Sequence, residues 1–159
     1  MKLYLLRHAP ALSREEWRLS DDLRPLSPDG EDLARRIAER IDALQLGMDA
    51  ILTSPYARAL RTAVLVRERL GDAIPLIEDG RLAPDRCTPD ALADMLAEHS
   101  DASALLLVGH EPSMTALVAS MVGGGRFSLK KCGLVRVDVD PASPRSGVLK
   151  WFATPRLLQ

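Results

Sequence analysis

The chain has 159 residues, room for a single α/β domain spanning residues 1–159 and little more. Hydrophobic residues make up 47% and charged residues 27%, which excludes a disordered chain. A formal net charge of −1 with no Lys/Arg-rich block gives no electrostatic basis for nucleic-acid binding.

Leu3 to Leu6 is a short, wholly apolar run, as expected of a strand buried on both faces. The lead-in from Met1-Lys2 lacks the order of a signal peptide, and no apolar run could cross a bilayer. The sequence therefore predicts a cytoplasmic protein without a membrane partner. Ser13 to Leu26 is polar, of mixed charge, and reads as a loop with a helical turn near Glu15 to Arg18. Ser27-Pro28 opens a helix, with Ser27 as cap and Pro28 in the first position. Leu33, Ile37, Ile41 and Leu44 recur at helical spacing, and Gly47 closes the helix.

Ala50 to Thr53 is a second apolar strand, followed by a helix from Tyr56 to Leu70 with Leu60, Val64 and Leu70 inward and Gly71 at its end. Ile74 to Ile77 reads as a strand interrupted by Pro75, which places it at an edge. Thr88-Pro89 caps a helix to Glu98. Ala104 to Val108 is the most apolar strand and belongs in the centre of the sheet. Gly109-His110-Glu111-Pro112 then turns into a helix with Pro112 as its first residue and Met114, Leu117, Val118 and Met121 as its stripe. Gly123-Gly124-Gly125 follows that helix and reads as a turn. Leu134 to Val139 and Val148 to Phe152, joined by the turn-rich Asp140 to Gly147, make a terminal hairpin. Strands alternating with helices give a three-layer α-β-α fold with a mostly parallel sheet and an antiparallel edge near the C-terminus.

The positions of His and Arg carry the chemistry. Arg7-His8 follows the first strand, Arg58 lies in the first turn after the second, and His110 follows the most apolar strand. Ligands of open α/β sheets bind at the carboxyl ends of strands, so three segments deliver basic side chains to one rim. That is a site for an oxyanion. His110 and Glu111 also lie at a helix N-terminus, where free N–H groups favour phosphate. No GxxxxGK[ST] or GxGxxG loop is present, and nothing in the sequence calls for a cofactor. Three histidines and two distant cysteines, Cys87 and Cys132, give no ligand-spaced cluster for a metal and no CxxC.

Three stretches, "LRHAP" at Leu6 to Pro10, "SPYARALRT" at Ser54 to Thr62 and "VGHEP" at Val108 to Pro112, resemble the signatures of the histidine phosphatase superfamily. That superfamily includes the phosphoglycerate mutases and many phosphatases. "RPLSPDG" at Arg24 to Gly30, the small size and the short segment before Pro84 are closer to its SixA-type phosphohistidine phosphatases. The resemblance covers nearly the whole chain. It implies a phosphoglycerate mutase-like fold and a metal-independent phosphatase in which His8 is the nucleophile and becomes a phosphohistidine. The second ring nitrogen of His8 should donate to a backbone carbonyl, leaving the other free to attack. Arg7 and Arg58 would hold phosphoryl oxygens, and His110 would donate to an oxygen that gains charge.

The chain departs from the family pattern in three places. Ala9 stands where Gly is usual, and Arg61 replaces the usual Gln or Glu before Thr62 and takes no catalytic role. Pro84 in Arg81-Leu82-Ala83-Pro84 occupies the slot of the glutamate that mutase-like members use as general acid, leaving Asp79, Asp85 or no acid at all. A missing acid favours a substrate whose leaving group needs little help, namely phosphohistidine on a signalling or phosphorelay protein. The alternatives are a small-metabolite phosphomonoesterase of the same superfamily and a non-catalytic phosphohistidine-binding module.

The remaining residues leave alternatives open. Arg24 either lines the entrance or pairs with Asp21 or Asp22. Ser13 either reaches the phosphate or caps its own loop, the latter being the better reading. His99 reads as a solvated helix cap. Trp17 is either a lid contact or a partner anchor.

Overall fold

A computed structural model describes residues 1–158. In chain order its main elements are β1 (Lys2–Arg7), α1 (Pro28–Ala43), β2 (Ala50–Thr53), α2 (Ala57–Leu70), β3 (Leu76–Glu78), α3 (Pro89–Glu98), β4 (Ala104–Gly109), α4 (Ser113–Met121), β5 (Leu134–Asp140), β6 (Ser143–Ala153) and α5 (Pro155–Leu158). The sheet order is β3-β2-β4-β1-β5-β6. The first four of these run parallel, while β5 and β6 pair antiparallel.

Alternation along the strands sends side chains to two cores. Tyr4, Leu6, Ile51, Leu106 and Val108 face α1 and α2, through Ile37, Ile41, Ala59 and Val66. Leu3, Leu5, Leu52, Leu105 and Leu107 face α3 and α4, through Leu92, Met95, Leu117 and Met121. β4 is buried along its whole length between β1 and β2, which is why it carries no polar residue. Truncating Leu106 to Ala should cost about 2–5 kcal/mol, since its site is closed on every side.

The caps follow the sequence. Ser27 Oγ accepts from Gly30 N–H at 3.1 Å, and Thr88 Oγ1 accepts from Ala91 N–H at 3.1 Å. Gly30 is required for a second reason: a Cβ there would overlap the carbonyl oxygen of Pro10. Helix α1 thus starts in van der Waals contact with the segment that follows His8.

Several boundaries differ from the sequence reading. Helix α1 ends at Ala43, not Gly47, and Leu44 is exposed at 48%, because the chain turns at Gln45 with φ 48° before Gly47 is reached. Helix α2 does not bury Leu60, Val64 and Leu70, which are only half-buried. Its buried residues are Arg58, Ala59, Thr62, Ala63, Leu65 and Val66, among which two alanines and a threonine allow close approach to the sheet. Helix α4 begins at Ser113, with Pro112 in the cap position. β3 starts after Pro75 and lies at the edge. β6 begins at Ser143, with only Pro141 and Ala142 between it and β5, and two register irregularities accommodate the longer strand.

Candidate active site

Register alone brings the site together. Arg7 of β1 pairs with Gly109 of β4, and Thr53 of β2 pairs with Val108, so three parallel strands end level. The next residues are locked by backbone bonds. His8 N–H donates to Gly109 O at 3.0 Å, and Ser54 N–H donates to Val108 O at 3.0 Å. His8, Ser54 and His110 therefore stand side by side at the carboxyl rim. The ring centroids of His8 and His110 are 5.0 Å apart, and Tyr56 packs edge-on against His110 at 5.3 Å. Arg58, the second residue of α2, stacks its guanidinium carbon 5.1 Å from the Tyr56 ring. Arg7, His8, Arg58 and His110 thus converge from three distant segments.

Each imidazole has one nitrogen fixed. His8 Nδ1 lies 2.7 Å from Ala9 O, an acceptor only, so Nδ1 carries the proton and Nε2 keeps its lone pair. His110 Nε2 lies 2.9 Å from Ser54 Oγ, while its Nδ1 is buried without a protein partner. Ser54 Oγ also accepts from Tyr56 N–H at 3.3 Å. Burial is the main force pushing both histidines down to about 3; nearby Arg58 and Arg7 add to it, and the backbone bond of His8 opposes it. Both rings are therefore neutral at pH 7, which leaves an imidazole lone pair free on His8.

The guanidiniums are held but not used up. Arg58 is only 4% exposed; its Nη1 donates to Asp21 O at 2.8 Å and its Nη2 to Asp21 Oδ2 at 3.1 Å. Arg7 Nη1 donates to Leu129 O at 2.8 Å. The Nε of each is buried with no protein partner. With His110 Nδ1 they make three buried nitrogens around one rim that lack a protein partner, an arrangement costly to leave unsatisfied. Thr62 ties the segment after His8 to α2: its Oγ1 accepts from Ala9 N–H at 3.1 Å and donates to Arg58 O at 2.7 Å.

Arg24 pairs with Asp21 at 2.9 Å and donates to Leu12 O at 2.7 Å, so it joins the rim through the same carboxylate that holds Arg58. Glu111 lines a groove that it shares with Arg7. Its Oε1 accepts from the Thr115 hydroxyl at 2.7 Å, and the groove, of about 470 Å³, is also bounded by Pro112, Arg126 and Phe127. Ser13 and Glu16 cap each other's N–H groups, and Trp17 Nε1 donates to Ser20 O at 2.9 Å, so both serve their own loop. The turn there covers Arg14 to Glu16, slightly earlier than expected. His99 is the C-cap of α3.

The two acidic candidates for the slot of Pro84 stand in different settings. Asp79 is clasped by Arg81, which holds its carboxyl below the usual range, and Arg81 is clasped in turn by Glu98. Asp85 is exposed, with φ 63°. Arg61 makes a two-pronged pair with Glu31 at 2.7 and 2.9 Å, a brace between α1 and α2. Cys87 and Cys132 are both buried free thiols pushed up to about 12 by burial. Among the described residues, no group of three His, Cys, Asp or Glu side chains could hold a metal, and no helix is long and apolar enough to cross a membrane.

Two residues of the site were not anticipated. Asp21 belongs to an unpatterned acidic loop, and only the folded chain brings it to Arg58. Ser54 sits inside a recognised signature, yet reads as a strand end.

The family model of the histidine phosphatase superfamily (branch 1) matches residues 3–84, and the chain belongs to that superfamily. An uncharacterized protein of Picosynechococcus sp. is 35% identical over 140 residues, covering 85% of this chain and 83% of its own. The phosphohistidine phosphatase SixA of Escherichia coli is 26% identical over 162 residues, covering 98% and 94%. Among solved structures, the protein histidine phosphatase SixA complexed with tungstate superposes with a TM-score of 0.84 at 23% identity over the whole of both chains. The alpha-ribazole phosphatase of Shigella flexneri gives 0.79 at 16% identity, covering 98% and 97%. Family and fold together support a phosphatase.

Proposed function

We propose that the protein is a metal-independent phosphohistidine phosphatase that carries the phosphoryl group on His8. The observation that carries this reading is the His8 ring. Its Nδ1 proton is committed to Ala9 O, so a neutral Nε2 faces a rim of under-satisfied donors. A phosphoryl dianion repels anionic nucleophiles, whereas a neutral imidazole can approach it.

In the first step the Nε2 lone pair forms a bond to phosphorus as the bond to the substrate nitrogen breaks. A substrate imidazole already protonated on its other nitrogen departs as neutral imidazole and needs no general acid. Arg7 and Arg58 offset charge on the equatorial oxygens, and His110 donates from Nδ1. Water then attacks phosphorus, the P–N bond breaks, and its electron pair returns to His8 Nε2. The absence of an acid in the slot of Pro84 suits this leaving group and counts against an alkoxide, which must be protonated as it leaves. The similarity to SixA favours the same substrate class, a phosphohistidine-bearing protein. The structural likeness to alpha-ribazole phosphatase keeps a small phosphomonoester as the second reading.

The test is to trap the phosphoenzyme. An adduct labile in acid, stable in alkali and mapped to His8, formed in the presence of EDTA, is the expected result. Wild type should release phosphate in a single turnover and His8→Ala should not, which also separates an enzyme from a binding module. An alkyl phosphate turned over orders of magnitude faster than phosphohistidine would overturn the substrate assignment.

A further inference from the structure

A cation without a partner stands beside the residues already described. Lys131 lies in the turn between Leu129 and Gly133, and this turn is fastened to the nucleophile segment at several points. Arg7 Nη1 donates to Leu129 O at 2.8 Å, Arg7 N–H to Gly133 O at 3.2 Å, and Cys132 N–H to Arg7 O at 3.0 Å. Within the turn, Gly133 N–H donates to Lys130 O at 2.7 Å, and Cys132 takes φ 57°. A Cβ at Gly133 would lie 2.8 Å from that same carbonyl, so the turn is held tight by its backbone. The position of Lys131 is therefore fixed relative to His8.

Lys131 is an exposed residue whose ammonium is pushed below the ordinary lysine range by partial desolvation first, and then by the guanidiniums of Arg7, Arg24 and Arg58. Among the described residues, the one carboxylate at ion-pair distance from any of these four cations is Asp21, which serves Arg24 and Arg58. By contrast, Arg61 is matched by Glu31, Arg81 by Asp79 and Glu98, and Arg136 by Asp138. Four cations against one carboxylate leave three positive charges, more than a phosphoryl dianion offsets. A cation gathered among like charges, on a rigid turn and with no counter-ion, is placed for an anion that arrives from outside.

We propose that Lys131 is a substrate-binding residue whose ammonium pairs with an oxyanion of the bound substrate. That oxyanion is either an oxygen of the phosphoryl group or an acidic side chain flanking the phosphohistidine. The assignment rests on the phosphate-binding reading of the rim, and the test keeps the two apart. Inorganic phosphate is titrated calorimetrically into wild type, Lys131→Met, Lys131→Arg and Lys130→Met, with no turnover required. Lys130 carries the same charge one residue away and reports the loss of a distant charge.

If the phosphoryl oxygen is the partner, Lys131→Met weakens phosphate roughly tenfold or more, Lys131→Arg restores most of it, and Lys130→Met changes it less than twofold. If a flanking carboxylate is the partner, phosphate binding is unchanged. KM for a phosphohistidine peptide with flanking Asp then rises about tenfold in Lys131→Met, while KM for the same peptide with Ala is unaltered. Lys131→Met matching Lys130→Met in both assays overturns the proposal. Failure of wild type to bind phosphate would instead overturn the reading of the rim.

Discussion

Two arginine–carboxylate clusters flank the sheet, and they are built to opposite ends. Arg81 is clasped by Asp79 at 2.6 Å and by Glu98 at 2.7 Å, two carboxylates for one cation, and every prong is occupied. Arg58 and Arg24 share the single carboxylate of Asp21, and the Nε of Arg58 is left buried and unpaired. The first cluster is electrically closed and pins the Gly80–Leu82 turn to α3. The second is short of negative charge and lies beside two neutral imidazoles. The same residue types thus yield a brace in one place and, on the function proposed above, an anion receptor in the other. The difference is the number of carboxylates within reach.

The sharpest way to break this contrast is at His8. His8→Ala should lower kcat by at least about ten-thousandfold in a phosphate-release assay, because the acceptor nitrogen is gone. Next, His110→Ala and Arg58→Ala should each cost roughly 100- to 1,000-fold in kcat, as expected for donors to a transition-state charge.

Asp21 separates charge from positioning. Asp21→Asn keeps an acceptor for Arg58 Nη2 but removes the negative charge, and should tighten product inhibition by inorganic phosphate severalfold. Asp21→Ala leaves Arg58 held only through the backbone carbonyl of residue 21 and should instead lower kcat about tenfold. Equal effects of the two variants on kcat and on phosphate inhibition would dismiss this role.

The neutral histidines also set an acid limit. Each takes up a proton near pH 6.5 when unfolded and only near 3 when folded. Between those values the unfolded chain binds more protons, so stability is full above about pH 6.5 and falls as the pH drops through this window. Thermal melts of the phosphate-free protein should show that slope, and the double variant His8→Asn/His110→Asn should flatten it. At the closed cluster the effect is smallest. Arg81→Met should lower stability by about 1 kcal/mol in urea melts and leave kcat within twofold, since its pairs are partly solvated.

The outcomes divide along what is local and what is not. The continuous apolar spelling of β4 identifies a central strand, and Ser27-Pro28 and Thr88-Pro89 mark helix starts, because these signals act within a few residues. The buried face of α2 was misread because apolar spacing favours Leu60, Val64 and Leu70. The helix instead turns its alanines and Arg58 toward the sheet. The four basic residues of the rim are legible because each follows a strand, and strand ends are a topological address. Asp21 and Ser54 are not, since their partners lie 37 and 56 residues away in sequence. Asp79 reads as a spare acid until Arg81 is seen to hold it.

The contact between Gly30 and the carbonyl of Pro10 bears on how variants of this protein will sort. Even alanine at position 30 must push the loop after the nucleophile out of place, and Thr62 and Ala9 would transmit that shift to both catalytic arms. A genetic screen scored on activity alone would group Gly30 with His8 and Arg58, although its own contact is to a backbone carbonyl. Only an assay that counts folded protein separately would return it to the scaffold.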